Sequence, residues 1–254
     1  MTILWTTLTA VILFSLLIFV HELGHFLFAR AFGIKVNEFA IGMGPAFWKK
    51  EKGETVYSIR WFPIGGYCKM EGENGDSEDP ASFGAKPWWA RFIVLAGGAA
   101  MNLVLGFVVA LFLVGVMGWG GGTIGGFIKE AYLQTLEAGK IVILSIEWLV
   151  SGKVKVTEMS GPVGIVNVIA QVTSMGIPYI LNLAIFITVN LGLFNLLPIP
   201  ALDGGRIVFV LIEAVRRKKI KPDVEGLIHG IGFLLLIGLV LFATWNDILR
   251  LAAG

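Results

Sequence analysis

Four long apolar stretches limit what this chain can fold into. A helix needs roughly 20 residues to cross about 30 Å of hydrocarbon, and residues 3–31, 88–116, 178–197 and 227–249 each provide such a run. Of the 254 residues, 56% are apolar and 15% are charged, and the mean hydropathy is +0.80. These values lie well outside the range of soluble domains. We therefore predict an all-α polytopic membrane protein that crosses the lipid bilayer with about four transmembrane helices.

Charge and cysteine content exclude several classes of function. The formal net charge is only +2 and the basic residues are spread along the chain, so we expect no nucleic-acid partner. The single cysteine, Cys68, excludes an internal disulfide and argues against a cysteine-based metal or redox site. No basic residue precedes the first apolar stretch, so we expect that stretch to remain in the mature protein rather than to be cleaved as a signal peptide.

The loop between the first two stretches predicts a membrane-associated β-hairpin or small sheet at residues 38–70. Its two halves would turn at Lys52 and Gly53, and TVYSIRW alternates with a period of two. The halves are too apolar for a free surface hairpin, yet a sheet edge cannot expose unpaired backbone to lipid. We therefore expect this element to line a protein-walled, water-accessible cavity or to lie at the membrane interface.

The distribution of basic residues predicts the orientation. The loops at 32–87 and 204–224 hold seven and six lysines or arginines, whereas the loop at 119–177 holds four. The positive-inside rule then places the two richer loops in the cytoplasm and both termini outside. Within the outer loop, residues 127–150 predict an interfacial amphipathic helix, and SGPVGIVNVIAQV predicts a short segment packed on the bundle.

Residues 17–26 read LIFVHELGHF, which places three ionisable residues inside the first apolar stretch. In a helix, positions i and i+4 share a face, so His21 and His25 can direct their imidazoles at one zinc ion, with Glu22 beside them as a base. Ionisable residues in membrane segments are costly and usually functional, which favours a metal site over two buried histidines satisfied by hydrogen bonds. His229 stands alone near the start of the last stretch, and we interpret it as structural or interfacial.

A catalytic zinc usually takes three protein ligands, and Asp203 is our candidate for the third. It lies in NLLPIPALDGGR, where two prolines end the third apolar stretch just before the aspartate. His21 lies 18 residues after Ile3, which is about 27 Å along a helix entered from outside, and the third stretch runs in the same direction. Asp203 therefore reaches the same depth near the cytoplasm, whereas Asp247 lies near the outside. The alternative is that Asp203 is an ordinary aspartate at the start of a loop.

Several motifs together resemble the site-2 protease family of intramembrane zinc metalloproteases. They are HELGH, then GGAAMNLVLG in the second stretch, SGPVGIV ahead of the third, and FNLLPIPALDGGR at its end. The likeness is strongest to the bacterial branch that cuts anti-sigma factors and remnant signal peptides. The segments FAIGMGP and IRWFPIGGYCKM also resemble the membrane-associated β-loop of that branch. The resemblance implies that zinc is held by His21, His25 and Asp203, with Glu22 as the base. It implies substrate contacts from Asn195, Gly65, Gly66 and Tyr67.

Two asparagines within apolar stretches have open interpretations on the residues alone. Asn195 could donate to the substrate backbone or to a developing oxyanion, or it could bridge two helices. We interpret Asn102, in the second stretch, as a helix-packing residue.

The chain differs in one respect from the bacterial branch of the family that it resembles. Members of that branch commonly carry one or two PDZ domains between the second and third spans. The loop here, residues 119–177, is too short for such a domain and contains GWGGGTIGG at its start, which fits either a natural short form or an engineered deletion. We therefore expect residues 1–254 to form a single intramembrane protease domain without PDZ-based control of substrate access.

The expected function is hydrolysis of peptide bonds in or near the transmembrane segments of other proteins. The resemblance implies single-span substrates such as anti-sigma factors or remnant signal peptides, in the bacterial inner (cytoplasmic) membrane, with the active site toward the cytoplasm. A non-catalytic zinc-binding scaffold or regulator is the first alternative, and Glu22 argues against it because a scaffold needs ligands but no base. A transporter is the second, and it should show internal repeats that this sequence does not convincingly have.

Overall fold

The computed structural model describes residues 2–73, 75, 77–153 and 160–253. Lys155, one of the four basic residues counted in the loop at 119–177, lies outside these ranges. The elements in chain order are α1 (Thr2–Ala31), β1 (Val36–Lys52), β2 (Thr55–Met70), a 3₁₀ turn (Phe83–Ala85), α2 (Trp88–Met117), α3 (Ile124–Val150), α4 (Pro162–Met175), α5 (Ile177–Asn195), α6 (Asp203–Arg216) and α7 (Pro222–Ala253).

Four helices in the described ranges, α1, α2, α5 and α7, are long and apolar enough to cross a membrane. Many of their apolar side chains are exposed: Leu234, Leu235 and Leu241 of α7 leave between 65% and 70% of their surface uncovered. Apolar surface of this extent needs lipid rather than water around it. The prediction of an integral membrane protein with four spanning helices and a small sheet is confirmed.

The segment between the third and fourth spanning helices contains a helix that the sequence did not predict. Residues 204–216 form most of α6, which buries Ile207 and Val210 against the core around the sheet. The apolar residues of this segment recur at helical spacing over a run too short to cross a membrane. The run therefore makes a packed helix instead of a span.

The chain divides into two compact units. One comprises Met1–Ile12, Leu103–Leu193 and Leu234–Gly254, and the other comprises Leu13–Asn102 and Phe194–Phe233. In the first unit, α3 packs against α2 and α5 through an apolar cluster that includes Leu113, Ala131 and Ile185. In the second unit, the sheet packs on α1, α2 and α6 through a cluster that includes Phe39, Val94 and Ile207.

The strands β1 and β2 pair with each other twice because both are bent. Near the turn at Gly53 and Glu54, residues 48–52 pair with residues 55–59, and beyond the bends residues 38–41 lie opposite both 56–59 and 66–69. Gly42 and Gly65 make the bends possible with φ of +85° and +86°, which side chains strongly disfavour. Residues 66–70, named the edge segment here, therefore form an outer leg of the sheet, paired along one side with 36–41.

Helices α1 and α2 approach each other very closely at two glycines. A Cβ on Gly24 would lie 2.3 Å from the carbonyl oxygen of Gly97, and one on Gly97 would lie 2.5 Å from Cδ2 of Phe28. Small residues let helix backbones come together in this way. The face of α2 that follows Gly97 is thereby held directly against the HELGH turn of α1.

Candidate metal centre

Three side chains converge where α1 meets the start of α6. His21 and His25 are one turn apart on α1, both are buried, and their Nε2 atoms are 3.2 Å apart. Oδ2 of Asp203, the first residue of α6, lies 3.0 Å from Nε2 of His21 and 3.3 Å from Nε2 of His25. The structure thus brings together the three residues that the sequence predicted as ligands.

The spacing of these atoms fits a zinc ion. The candidate ligand atoms of all three residues lie within 4.8 Å of one another. Two ligands that each bind zinc at about 2.0–2.1 Å in a tetrahedral site are about 3.3 Å apart, which matches the three observed separations. Two imidazoles and one carboxylate also form a donor set of the kind that catalytic zinc uses.

The second ring nitrogens of both histidines have partners on one face of α2. Nδ1 of His25 donates to the carbonyl oxygen of Val94 at 2.9 Å, so the lone pair of this ring is on Nε2, where a metal needs it. Nδ1 of His21 lies 3.2 Å from the side-chain amide of Asn102. A rotation of that amide by 180° exchanges the positions of its oxygen and nitrogen. With the oxygen toward the ring, the amide accepts a hydrogen bond from Nδ1–H of His21. The lone pair of that ring is then on Nε2, where it can bind a metal.

Asn102 is completely buried and links α2 to α1, as expected of a helix-packing residue. The side chain that it contacts on α1 is His21, a candidate ligand. Gly98 lies midway between Val94 and Asn102 on the same face, and a Cβ there would lie 2.4 Å from Nε2 of His25 and 2.8 Å from Nε2 of His21. The glycine therefore leaves the space in which the two imidazoles and a metal fit.

Prolines and glycines bring Asp203 back toward α1. Helix α5 ends at Asn195, before Pro198 and Pro200, and α6 begins in such close contact that a Cβ on Gly204 would lie 2.1 Å from the carbonyl oxygen of Leu197. Burial alone would raise the pKa of the Asp203 carboxyl, but His25 and His21 in their protonated state hold that pKa well below its ordinary value through their charges and hydrogen bonds. Asp203 is therefore ionised, as a metal ligand must be.

A cavity of about 470 Å³ opens beside the three candidate ligands, and its wall includes Glu22 and residues 67–70 of the edge segment. Of the predicted substrate contacts, Tyr67 lines the cavity, and Nδ2 of Asn195 lies 3.5 Å from Nε2 of His21. Gly66 lies against α1, where a Cβ would be 3.4 Å from Cγ of Glu22. Gly65 lies at the bend, and a Cβ there would meet the side chain of Met43.

Comparison with known proteins identifies the family. The sequence profile of peptidase family M50 matches residues 9–239, a range that contains all the residues of this site. The chain belongs to peptidase family M50.

Several bacterial proteins are similar to this M50 chain over nearly their whole length. The protein FN1322 of Fusobacterium nucleatum is 32% identical over 337 residues, which cover 97% of this chain and 99% of the relative. The regulator of sigma-W protease RasP of Bacillus subtilis is 27% identical over 416 residues, with 97% and 99% coverage. The zinc metalloprotease RasP of Shouchella clausii is 25% identical over 414 residues, with the same coverage.

The family match confirms the predicted resemblance to site-2 proteases, zinc as the cofactor and proteolysis as the activity. This M50 chain is an intramembrane zinc metalloprotease. Neither the scaffold nor the transporter, the two alternatives left by the sequence, fits this family.

A polar network holds Tyr67 of the M50 enzyme in the cavity wall. Arg60 donates to Glu38 at 2.7 Å and also to the Tyr67 hydroxyl, and Ser58 donates to the same carboxylate at 2.7 Å. Burial alone would raise the pKa of Glu38, but the hydrogen bonds from Arg60 and Ser58 lower it below its usual range. Burial and the hydrogen bond to Glu38 raise the pKa of Tyr67. The phenol therefore stays protonated and the network ties the edge segment to the rest of the sheet.

An ion pair missed by the sequence analysis joins the chain after the sheet to α6. Glu73, three residues beyond β2, pairs with Arg206, which is one turn after Asp203, and both side chains line the cavity. Sequence spacing contains no signal for this pair because its members are 133 residues apart. It connects the edge segment to the helix that carries the third candidate ligand.

Proposed function

We propose that zinc is held by His21, His25 and Asp203 and that Glu22 is the general base of peptide hydrolysis. The observation that carries this assignment is the convergence of the three donor atoms at zinc-ligand spacing, with Glu22 in the wall of the same cavity. The hydrogen bond from Nδ1 of His25 to Val94 supports it, because it fixes the tautomer that a metal requires, and the Asn102 amide can do the same for His21 when its oxygen faces the ring.

The protein side chains divide the catalytic work. When bound, zinc lowers the pKa of a coordinated water to about 7 and polarises the scissile carbonyl. The Glu22 carboxylate accepts a proton from the attacking water and returns it to the leaving amine. Asn195, whose Nδ2 is beside His21, donates a hydrogen bond to the substrate carbonyl oxygen as negative charge develops there.

The substrate binds as an added strand at the edge segment. A transmembrane helix hides its carbonyl groups in its own hydrogen bonds, so it must unwind before it can be cut. The edge segment pairs with residues 36–41 on one side, and its residues 67–70 face the cavity that contains Glu22. An unwound stretch that pairs with residues 66–70 satisfies its own backbone and presents one peptide bond beside the candidate ligands.

The substrates are single-span membrane proteins, such as anti-sigma factors or remnant signal peptides. One relative is named a regulator of sigma-W protease, and the match to that protein covers nearly both chains. The excess of basic residues in the loops at 32–87 and 204–224 supports a site that faces the cytoplasmic side of the bacterial inner membrane, with both termini outside.

Residues 1–254 form one protease domain with no PDZ domain between the second and third spanning helices. The alignments to the relatives extend over 337 and 416 residues, more than the 254 of this chain, so the relatives contain internal residues that this chain lacks. The described part of the loop between α2 and α5 is occupied by α3 and α4. A PDZ domain at this point of the chain therefore does not control access to the site.

The decisive experiment compares the wild type with Glu22→Gln in liposomes that contain a single-span test substrate. We expect cleavage to fall by about 10²–10⁴-fold, the usual contribution of a general base, while the zinc content per chain stays unchanged. Glu130→Gln, in α3, controls for the loss of one negative charge and should cleave normally. Equal cleavage by the wild type and Glu22→Gln would refute the role of Glu22.

Strand addition is tested on the substrate rather than on the enzyme. Replacing single backbone amides with esters near the cleaved bond removes one N–H donor at a time and leaves the side chains unchanged. We expect alternate positions to raise KM, because neighbouring N–H groups of a strand point in opposite directions. A uniform response along the substrate would exclude pairing with the edge segment.

A further inference from the structure

The loop that delivers Asp203 contains a strained residue. Ala201, two residues before Asp203, has φ of +77°, a left-handed conformation that residues with a side chain disfavour. Such a conformation persists only where its surroundings hold it in place. Ala201 also lines the cavity beside the candidate ligands.

Helix α7 supplies the contact that holds this residue. The backbone N–H of Ala201 donates to Nδ1 of His229 at 2.9 Å. Because Nδ1 accepts, the proton of the neutral ring is on Nε2, which lies 4.0 Å from a carboxylate oxygen of Glu225 one turn earlier on α7. The ring also packs beside Phe209 of α6, with 5.4 Å between the ring centroids.

A second contact fixes the same loop from the same helix. Gly232 is one turn after His229, and a Cβ there would lie 2.4 Å from Cβ of Pro200 and 2.7 Å from its carbonyl oxygen. Helix α7 therefore contacts Pro200 through the backbone of Gly232 and binds Ala201 through the imidazole of His229. Together these contacts fix the chain just before it reaches Asp203.

We propose that His229 is a positioning residue for the metal centre: its Nδ1 holds Ala201 in the left-handed conformation that points Asp203 at His21 and His25. The histidine touches neither metal nor substrate and acts through the backbone of the loop. The inference rests on the proposed role of Asp203 as a zinc ligand. It gives a function to the one histidine outside the HELGH motif.

Three substitutions of His229 distinguish the effect of the hydrogen-bond acceptor from the effect of the size of the ring. In His229→Asn, Oδ1 takes the place of Nδ1, so the hydrogen bond from Ala201 can form. In His229→Gln, the acceptor moves one atom further out, and His229→Leu has no acceptor. The measurement is the rate at which purified full-length protein in liposomes loses zinc to a chelator, at a temperature where all variants remain folded.

We expect His229→Gln and His229→Leu to lose zinc about 10–100-fold faster than the wild type, the usual effect of removing support behind a zinc ligand. His229→Asn should lose it within about threefold of the wild-type rate, since the supporting hydrogen bond is retained. With saturating zinc, kcat should follow the same order while KM stays unchanged, because His229 does not contact the substrate.

Two outcomes would overturn the proposal. One is wild-type zinc retention in His229→Gln and His229→Leu, and the other is a loss in His229→Asn as large as that in His229→Leu. Asp203→Asn, measured beside them, tests the assumption on which the inference rests. If Asp203→Asn retains zinc, the proposed metal site is wrong; if it loses zinc while the His229 variants do not, only the role of His229 is wrong.

Discussion

Each of the two compact units contains an aspartate with little exposure to solvent, and the partners of these two aspartates differ. Asp203 meets two imidazole nitrogens at 3.0 and 3.3 Å. In the other unit, Asp247 of α7, only 3% exposed, accepts the backbone N–H of Gly164 at 2.7 Å in the first turn of α4. Gly161 and Gly164 make room for it, because a Cβ on either would lie 2.9 Å from its carboxylate oxygens.

The difference shows that a carboxylate shielded from solvent can be either a candidate metal ligand or a helix cap. The N–H groups at a helix start are fixed donors, and a carboxylate that caps them has its charge satisfied by the backbone. Imidazole lone pairs are not donors, so the charge of Asp203 beside them is satisfied only by protons or by a metal. Burial of an acidic residue is thus not enough to assign a function, and the chemistry of its neighbours decides.

The sharpest test of this contrast changes both aspartates to asparagine. We expect Asp203→Asn to lose most of its zinc and to cleave more than about 100-fold more slowly, since losing a ligand exceeds the 10–100-fold effect of losing a group behind one. Asp247→Asn retains an oxygen that accepts from Gly164, so its cleavage should stay within about twofold of the wild-type rate. Zinc content and initial cleavage rates measure both, and equal losses in the two variants would contradict the contrast.

The glycines of the two units provide the next test. In Gly98→Ala, the new methyl group would overlap Nε2 of His25, with 2.4 Å between the atoms, so we expect zinc affinity to fall by at least about tenfold. The matched change is Gly139→Ala in α3, where the nearest atoms are 3.9 Å away. It should leave zinc affinity unchanged and stabilise the helix by about 0.5–1 kcal/mol. Zinc titration and thermal unfolding measure the two effects.

A smaller effect is expected behind His21. In Asn102→Leu, Nδ1 of His21 loses its side-chain acceptor, so we expect zinc affinity to fall by about 10–100-fold with little change in KM. Asn102→Asp retains an acceptor at the same position and should lose less. If leucine and aspartate at this position have the same effect, packing rather than the hydrogen bond determines the result.

The smallest effect on activity is expected from Asp247→Leu. It removes the cap of α4 and leaves the half-buried N–H of Gly164 without its acceptor, which should lower the free energy of unfolding by about 1 kcal/mol. Below the unfolding transition, zinc content and kcat should match the wild type. A loss of zinc at low temperature would show that Asp247 supports the metal centre after all.

The sequence predicted that the three candidate ligands meet because their geometry follows from two simple quantities. Helical spacing places His21 and His25 on one face, and counting residues through the membrane places Asp203 at their depth. The partners on α2 required knowledge of which helix face meets the HELGH turn. A signal was present, since Gly98 and Asn102 are four residues apart and share a face, but the sequence does not identify the helix that lies opposite.

The remaining features depend on tertiary structure. The contact of His229 with Ala201 exists only because α7 returns to the loop after α5. The doubled pairing of residues 38–41 depends on where Gly42 and Gly65 bend the strands. Glycine marks a permitted bend, but neither its direction nor the resulting register can be read from the alternation of residue types.

Cys68 lines the same cavity as the candidate ligands, and it is the only cysteine of the chain. Burial, strengthened by the negative charges of Glu22 and Glu73, raises the pKa of its thiol well above the ordinary value. The thiolate that reacts with maleimides and that binds soft metals is therefore scarce at neutral pH. Cys68 should therefore react with maleimides more slowly than an exposed thiol does. A new, exposed cysteine on a spanning helix can then be labelled selectively with a fluorophore or spin label that reports how a substrate enters the membrane domain.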